Sequence, residues 1–224
     1  MPVLNEANYL GDVLKYEAPN LYSREAVTVL GGIGADRVLA VGTVIGKRTK
    51  SSVTVTADAG NTGNGVATLD GGSPCGPKAE VGTYTLTCIA AAVNAGTFQV
   101  LSPSGYVLPD LTVGQAYAGD HINLTIADGA TDFVVGDKFT VDVSGDGKIT
   151  ELSPGATTGS HEAYGIVAAD VTAPDGVDAE GLAIVRDAIL ADHALVWPTG
   201  ITTAEKAAAI ARLEARGILV RKGA

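Results

Sequence analysis

The residues of this chain with reactive side chains are few, and their spacing excludes most catalytic chemistry. His121, His161 and His193 are its three histidines, and no two stand at metal or acid–base spacing. No serine sits in a Gly-x-Ser-x-Gly elbow. Gly60-Asn61-Thr62-Gly63-Asn64-Gly65 is glycine-rich, but no Lys-Ser/Thr pair follows it as a phosphate loop requires, so it reads as a turn. Gly32-Ile33-Gly34 lacks the third glycine and the helix of a dinucleotide site. One segment does carry ligand spacing. Asp142-Val143-Ser144-Gly145-Asp146-Gly147-Lys148-Ile149 alternates oxygen donors, with a glycine at its sixth position and an apolar residue at its eighth, as calcium loops do. Asp142, Ser144 and Asp146 would be the first ligands. The twelfth position is Ser153 rather than a bidentate Glu, so a β-turn is favoured over a metal site. Cys75 and Cys88 make neither a disulfide framework nor a zinc set. Two ordinary thiols are the simpler reading, and a single bridge is the alternative. No cofactor and no enzymatic activity are expected.

The elements that would position any site are read as β-rich. Hydrophobic residues make up 46% of the 224 residues, enough for a core, while 29 glycines break the chain into short pieces. The net charge of −10 argues against a nucleic-acid binder, which needs a basic stripe. No apolar run is long enough for a membrane span. The first residues lack the basic and apolar regions of a secretory signal, so synthesis in a cytoplasm is expected.

Residues 1–24 read as an extended arm. Pro2, Gly11 and Pro19 punctuate it, and Tyr9, Leu10, Val13, Leu14, Tyr16, Leu21 and Tyr22 supply apolar groups without a regular period. Such a segment is suited to ordering on a partner. Its alternative is packing on its own domain.

Residues 51–146 differ in charge from the rest. They hold ten acidic residues, from Asp58 to Asp146, against Lys78 and Lys138, and so carry −8 of the total −10. An asymmetry this sharp marks a separate unit. Thr83–Ile89, Thr97–Leu101, Ile122–Ile126 and Lys138–Val143 alternate polar and apolar residues between glycine- and asparagine-rich turns. This predicts an inserted all-β sandwich or barrel.

Residues 25–50 and 147–224 flank that insert and read as one domain. Ala26–Leu30 and Arg37–Ile45 predict strands, and Lys148-Ile149-Thr150 is expected to resume the strand broken off near Thr49. Ala163–Ala168 and Gly181–Arg186 are further strands. Thr202 and Glu205 form a capping box for an alanine-rich helix, with Ala207, Ile210 and Leu213 on one face and Gly217 closing it. Ile218-Leu219-Val220 then forms a last strand. Trp197, before Pro198, is placed with Ile210 and Leu213 in core or inter-subunit packing. The fold class expected is mainly β with one C-terminal helix.

The order and spacing of Gly42-Thr43-Val44-Ile45-Gly46-Lys47, Ser153 to Val167, Trp197-Pro198 and Gly217-Ile218-Leu219-Val220 resemble the bacteriophage lambda head decoration protein D family. The resemblance covers residues 23–50 and 148–221. It implies a homotrimer bound at local three-fold sites on the outer surface of the expanded phage head, which it cements. It also implies that the N-terminal arm pairs with the major capsid protein. Smaller members lack an insert of this size. The insert raises a second reading, a surface-displayed module that recognises carbohydrate or a host surface as an external ligand. Neither reading calls for nucleic acid or membrane as a partner.

Overall fold

A computed structural model describes residues 8–223. In chain order, a one-turn helix α1 (Leu10–Val13) leads into β1 (Leu14–Glu17), β2 (Arg24–Val29), β3 (Arg37–Leu39) and β4 (Val44–Lys47). Eight strands follow: β5 (Ser52–Ala57), β6 (Val66–Leu69), β7 (Gly82–Ala92), β8 (Ala95–Leu101), β9 (Val107–Thr112), β10 (Ala116–Tyr117), β11 (Leu124–Ala127) and β12 (Lys138–Ser144). The chain then returns through β13 (Ile149–Glu151), β14 (Ala163–Val167), β15 (Val171–Ala173), β16 (Ala179–Ile184) and β17 (Ala188–Ala191). A 3-10 turn at Asp192–Ala194, helix α2 (Thr203–Glu214) and β18 (Ile218–Arg221) complete it. The protein is thus β-rich with one C-terminal helix of more than a single turn among the described residues. These elements form two compact units, residues 1–48 with 147–224, and residues 49–146.

The first unit is built on a closed five-stranded barrel in the order β13-β2-β16-β14-β4. Closure removes the edges that an open sheet of this size would leave. Two glycines permit the tight approach of its walls. A Cβ on Gly46 would lie 2.1 Å from the Ser160 carbonyl oxygen, and one on Gly165 would lie 2.2 Å from that of Ile184. Val29, Ile45, Ile149 and Val185 are buried in one cluster of this unit, and Val44, Ile166, Leu190, Leu213 and Ile218 in another.

The strand after the insert does not continue the one before it. Ile149 pairs antiparallel with Lys47 and Glu151 with Ile45, so β13 lies beside β4 as a new strand. An inserted unit needs its two ends close together, and the end of an antiparallel pair supplies that.

Helix α2 starts on the expected capping box: Thr202 Oγ1 accepts from the Glu205 amide at 3.2 Å, and Glu205 Oε2 accepts from the Thr202 amide at 2.8 Å. Its inward stripe differs from the expected one. Ala209 and Leu213 are buried, Ile210 is half-buried and Ala207 is exposed. Positions four apart stack on one face, so the contact with β14 and β18 runs through 209 and 213. The left-handed residue that closes the helix is Gly217, with φ of 77°.

The second unit is a sandwich. One sheet runs β5-β12-β7-β8-β9 and the other β10-β11-β6. Tyr84, Leu86, Val100 and Val141 from the first sheet and Ala67, Leu124 and Ile126 from the second share one buried core. Phe98, Phe133 and Phe139 meet within it at centroid distances of 5.1 to 5.8 Å. Cys75 and Cys88 are buried in this core as free thiols, and burial pushes both above the usual thiol range.

The calcium-like segment begins in a strand and leaves it after Ser144. Asp142 and Ser144 belong to β12, where Asp142 pairs with Thr54 on one side and Thr83 on the other. The Thr83 hydroxyl donates to the Asp142 carboxylate. A paired strand holds its backbone extended and does not wrap donors around an ion. Asp146 follows beyond the strand end, its amide bonded to Ser51 Oγ at 2.9 Å.

Candidate functional site

The N-terminal segment holds apolar groups of two kinds. Val13 is fully buried, and Leu10 and Leu14 pack against the same cluster as Leu190 and Leu213. Tyr9, Tyr16, Leu21 and Tyr22 are 70%, 54%, 62% and 58% exposed. The segment from Leu10 onward is therefore docked on its own unit rather than extended as a free arm. Residues 1–7 lie outside the described residues.

Docking is achieved by pairing. Leu14 faces Leu190 and Glu17 faces Ala188, so β1 adds antiparallel to β17, which in turn pairs parallel with β18. β1 is the edge of this three-stranded sheet, and its outer side has no partner strand among the described residues. Tyr16 lies on this edge strand. Lys15, exposed beside it, donates to the Gly11 carbonyl at 3.2 Å.

The turn after β1 is held from below. Ser23 is fully buried; its hydroxyl accepts from the Ala18 amide at 2.9 Å and donates to the Asp187 carbonyl at 2.7 Å. Above it Asn20 and Leu21 both adopt left-handed backbone, with φ of 60° and 59°. For a leucine this conformation costs about 1–2 kcal/mol. It turns Leu21 and Tyr22 outward instead of into the core.

Charges brace the same region. Arg24 grips Glu17 through two bonds of 2.8 Å, and this guanidinium holds the Glu17 carboxyl below the usual carboxylate range. Arg186 binds the Glu25 carboxylate and the Tyr22 carbonyl, and its guanidinium sits 5.4 Å from the Tyr22 ring centroid. The ring is thereby fixed while most of its surface faces solvent.

Trp197 is half-buried against the core of its own unit. The Lys206 ammonium lies 5.0 Å from its ring centroid and bridges to Asp192 at 2.9 Å. Trp197 and Leu213 thus share one core cluster, and Ile210 is half-buried outside it. A second exposed apolar group is not apparent from the sequence. Ile33, Val38 and Val177 are 86%, 67% and 57% exposed; Ile33 and Val177 lie on two loops joined where Gly32 pairs with Asp175, and Val38 lies on β3. Gly31-Gly32-Ile33-Gly34 signals a turn, and nothing in it shows that the turn lies against residues 174–178.

His121 Nδ1 lies 3.2 Å from the Tyr84 hydroxyl, and His161 lies 3.9 Å from Glu162. Among the described residues no group of three or more His, Cys, Asp or Glu side chains is arranged to hold a metal ion. A recess of about 340 Å³ on the second unit is lined by Leu108, Pro109, Tyr117, Asp120 and His121.

A unit with exposed aromatic groups on an edge strand and a left-handed turn, and no metal cluster among its described residues, has a contact surface as its candidate site. The family model for bacteriophage lambda head decoration protein D matches residues 3–218, and the chain belongs to that family. It is a phage head decoration protein, a structural protein associated with the virion capsid. The matched range is wider than the two stretches that carry the sequence resemblance. No curated protein matches the chain. Two crystal structures of Xanthomonas campestris FlgL, in space groups H3 and C2, align at 22% identity with a TM-score of 0.32. They cover 50% of this chain, which spans about a third (34% and 33%) of the length of those chains. A TM-score of 0.32 is below what a common fold gives.

Proposed function

We propose that this protein binds as a homotrimer at local three-fold sites on the outer surface of the expanded head and cements it. The contact with the major capsid protein runs through the N-terminal segment. The observation that carries this reading is the division of that segment. Leu10, Val13 and Leu14 anchor it, while Tyr9, Tyr16, Leu21 and Tyr22 are exposed and β1 keeps an unpaired outer edge. An edge strand offers main-chain hydrogen bonds to a capsid segment, and the aromatic groups supply apolar area. A protein that binds only the assembled shell stabilises it by linkage, and three linked contacts per trimer make weak ones durable. Trp197, Ile210 and Leu213 are proposed to support the trimer through the packing of α2.

Deleting the segment would also remove the buried Val13, so the test uses point variants. Tyr9→Ser, Tyr16→Ser and Tyr22→Ser, combined in one chain, leave the core intact. We expect this variant to fold as the parent does and to lose at least about tenfold in affinity for expanded heads. Unchanged binding by a folded triple variant refutes the proposed contact surface.

A further inference from the structure

We propose that the inserted unit is a connector: strand β5 pairs antiparallel with β5 of a second copy across a two-fold axis. This surface is separate from the N-terminal contact with the capsid.

The edges of the sandwich are not alike. β9 is an edge that carries Pro109 and Asp110 and an irregular register, and β10 is an edge of only two residues. Both are blunted against further pairing, and the fourth edge, β6, is only four residues long. β5 reads Ser52-Val53-Thr54-Val55-Thr56-Ala57, with no charge and no proline over six residues. It has a regular six-residue register with β12 and no partner strand on its other side among the described residues. A neutral, regular, β-branched edge of this kind is a template for strand addition.

The register identifies which amides are open. The Asp58 amide donates to the Lys138 carbonyl, so hydrogen-bonded pairs with β12 fall at 58, 56, 54 and 52. The amides and carbonyls of Val53, Val55 and Ala57 therefore point away from the sheet. Three such residues at alternate positions are self-complementary. With Val55 on the two-fold axis, Val55 meets Val55 and Val53 meets Ala57, and all three outward residues of each copy are paired. Thr54, exposed, then stands opposite Thr56 of the second copy, a favourable cross-strand pair on the solvent face. Half-buried Val53 and Val55 extend the apolar face.

The surplus of acid in this unit opposes association of free copies, but the repulsion is screened beyond about 8 Å at physiological salt. Pairing is therefore expected to be weak in dilute solution and to strengthen with salt. It becomes effective where copies are held side by side on a shell at high local concentration.

The test mixes two single variants, Thr54→Cys and Thr56→Cys, on heads under mild oxidation. Cys75 and Cys88 are buried and do not compete. In the proposed register residue 54 can bridge only to residue 56 of the other copy, because like residues stand more than about 7 Å apart. The mixture should yield a covalent dimer at least about tenfold above either variant alone. Adding Val55→Pro, whose lost amide faces outward and leaves the β12 ladder intact, should abolish the dimer while head binding persists. Equal cross-linking in all three samples, or none in the mixture on heads that have bound both variants, overturns the pairing. If the heads take up neither variant, the N-terminal contact is what has failed. The pairing is then tested on the same mixture of free protein at high concentration and high salt, where absence of the mixed dimer overturns it and its presence supports it.

Discussion

The Ser23 hydroxyl donates to the Asp187 carbonyl across 2.7 Å, joining two residues 164 positions apart in the chain. Asp187 has a φ of 43°, and its carbonyl also accepts from the Ala18 amide at 3.2 Å. The N-terminal turn and the start of β17 are thus held by one buried polar junction. Ser23→Ala removes the hydroxyl and leaves the Ala18 amide without its nearer acceptor. The expected loss is about 1–2 kcal/mol, read from the denaturant midpoint. Hydrogen exchange should quicken first at residues 18–24.

The Glu17–Arg24 pair gives a pH dependence of known sign. The guanidinium depresses the Glu17 pKa in the folded state. Its contribution is therefore present above the unfolded-state carboxylate pKa and is lost as pH falls through the folded value. Both side chains are 25% exposed, so Glu17→Gln should cost no more than about 1 kcal/mol near neutrality. The difference from the parent should vanish in acid. A penalty that persists below the folded pKa would assign the effect to packing instead of charge.

Asp137 should be the most sensitive carboxylate of the inserted unit. Burial alone would raise its pKa, but bonds from the Thr62, Gly63 and Val134 amides, 2.9 to 3.0 Å long, bring it below the usual range. Asp137→Asn sets an amide donor against this ring of N–H groups. The expected cost is about 2–4 kcal/mol, confined to the second unit, with head binding unchanged. Because the pKa is depressed, the carboxylate stabilises above the unfolded pKa and ceases to do so as pH falls through the folded one.

Leu21 separates stability from binding. Its left-handed backbone suits glycine, so Leu21→Gly should hold or raise stability by up to about 1 kcal/mol. The same change removes an exposed apolar group from the proposed contact surface. Head affinity should therefore fall while the thermal midpoint does not, as expected where strain is kept for function.

Much of this architecture was legible because local and global signals agree. The alternation in Thr83–Ile89 and Lys138–Val143 falls within β7 and β12, and the Thr202–Glu205 box marks the start of α2. The step in charge over residues 51–146 lies within the unit that the contacts bound at 49 and 146. Other parts depend on tertiary contact. Ala188-Ile189-Leu190-Ala191 has no strand periodicity, and it becomes β17 only because β1 and β18 flank it. Docking of Leu10, Val13 and Leu14 is invisible without the groove that receives them. Asp142 and Ser144 show the opposite ambiguity, since alternate oxygens suit a calcium loop and a strand equally. The partners of β12 decide between them.

Trimeric cementing is tested most directly by co-sedimenting the purified protein with expanded, undecorated heads and, in parallel, with unexpanded ones. The account predicts saturable binding to expanded heads alone, at three copies per local three-fold site, and a rise in the temperature at which those heads open. Equal binding to both forms, or saturation at a number unrelated to three per site, would contradict it.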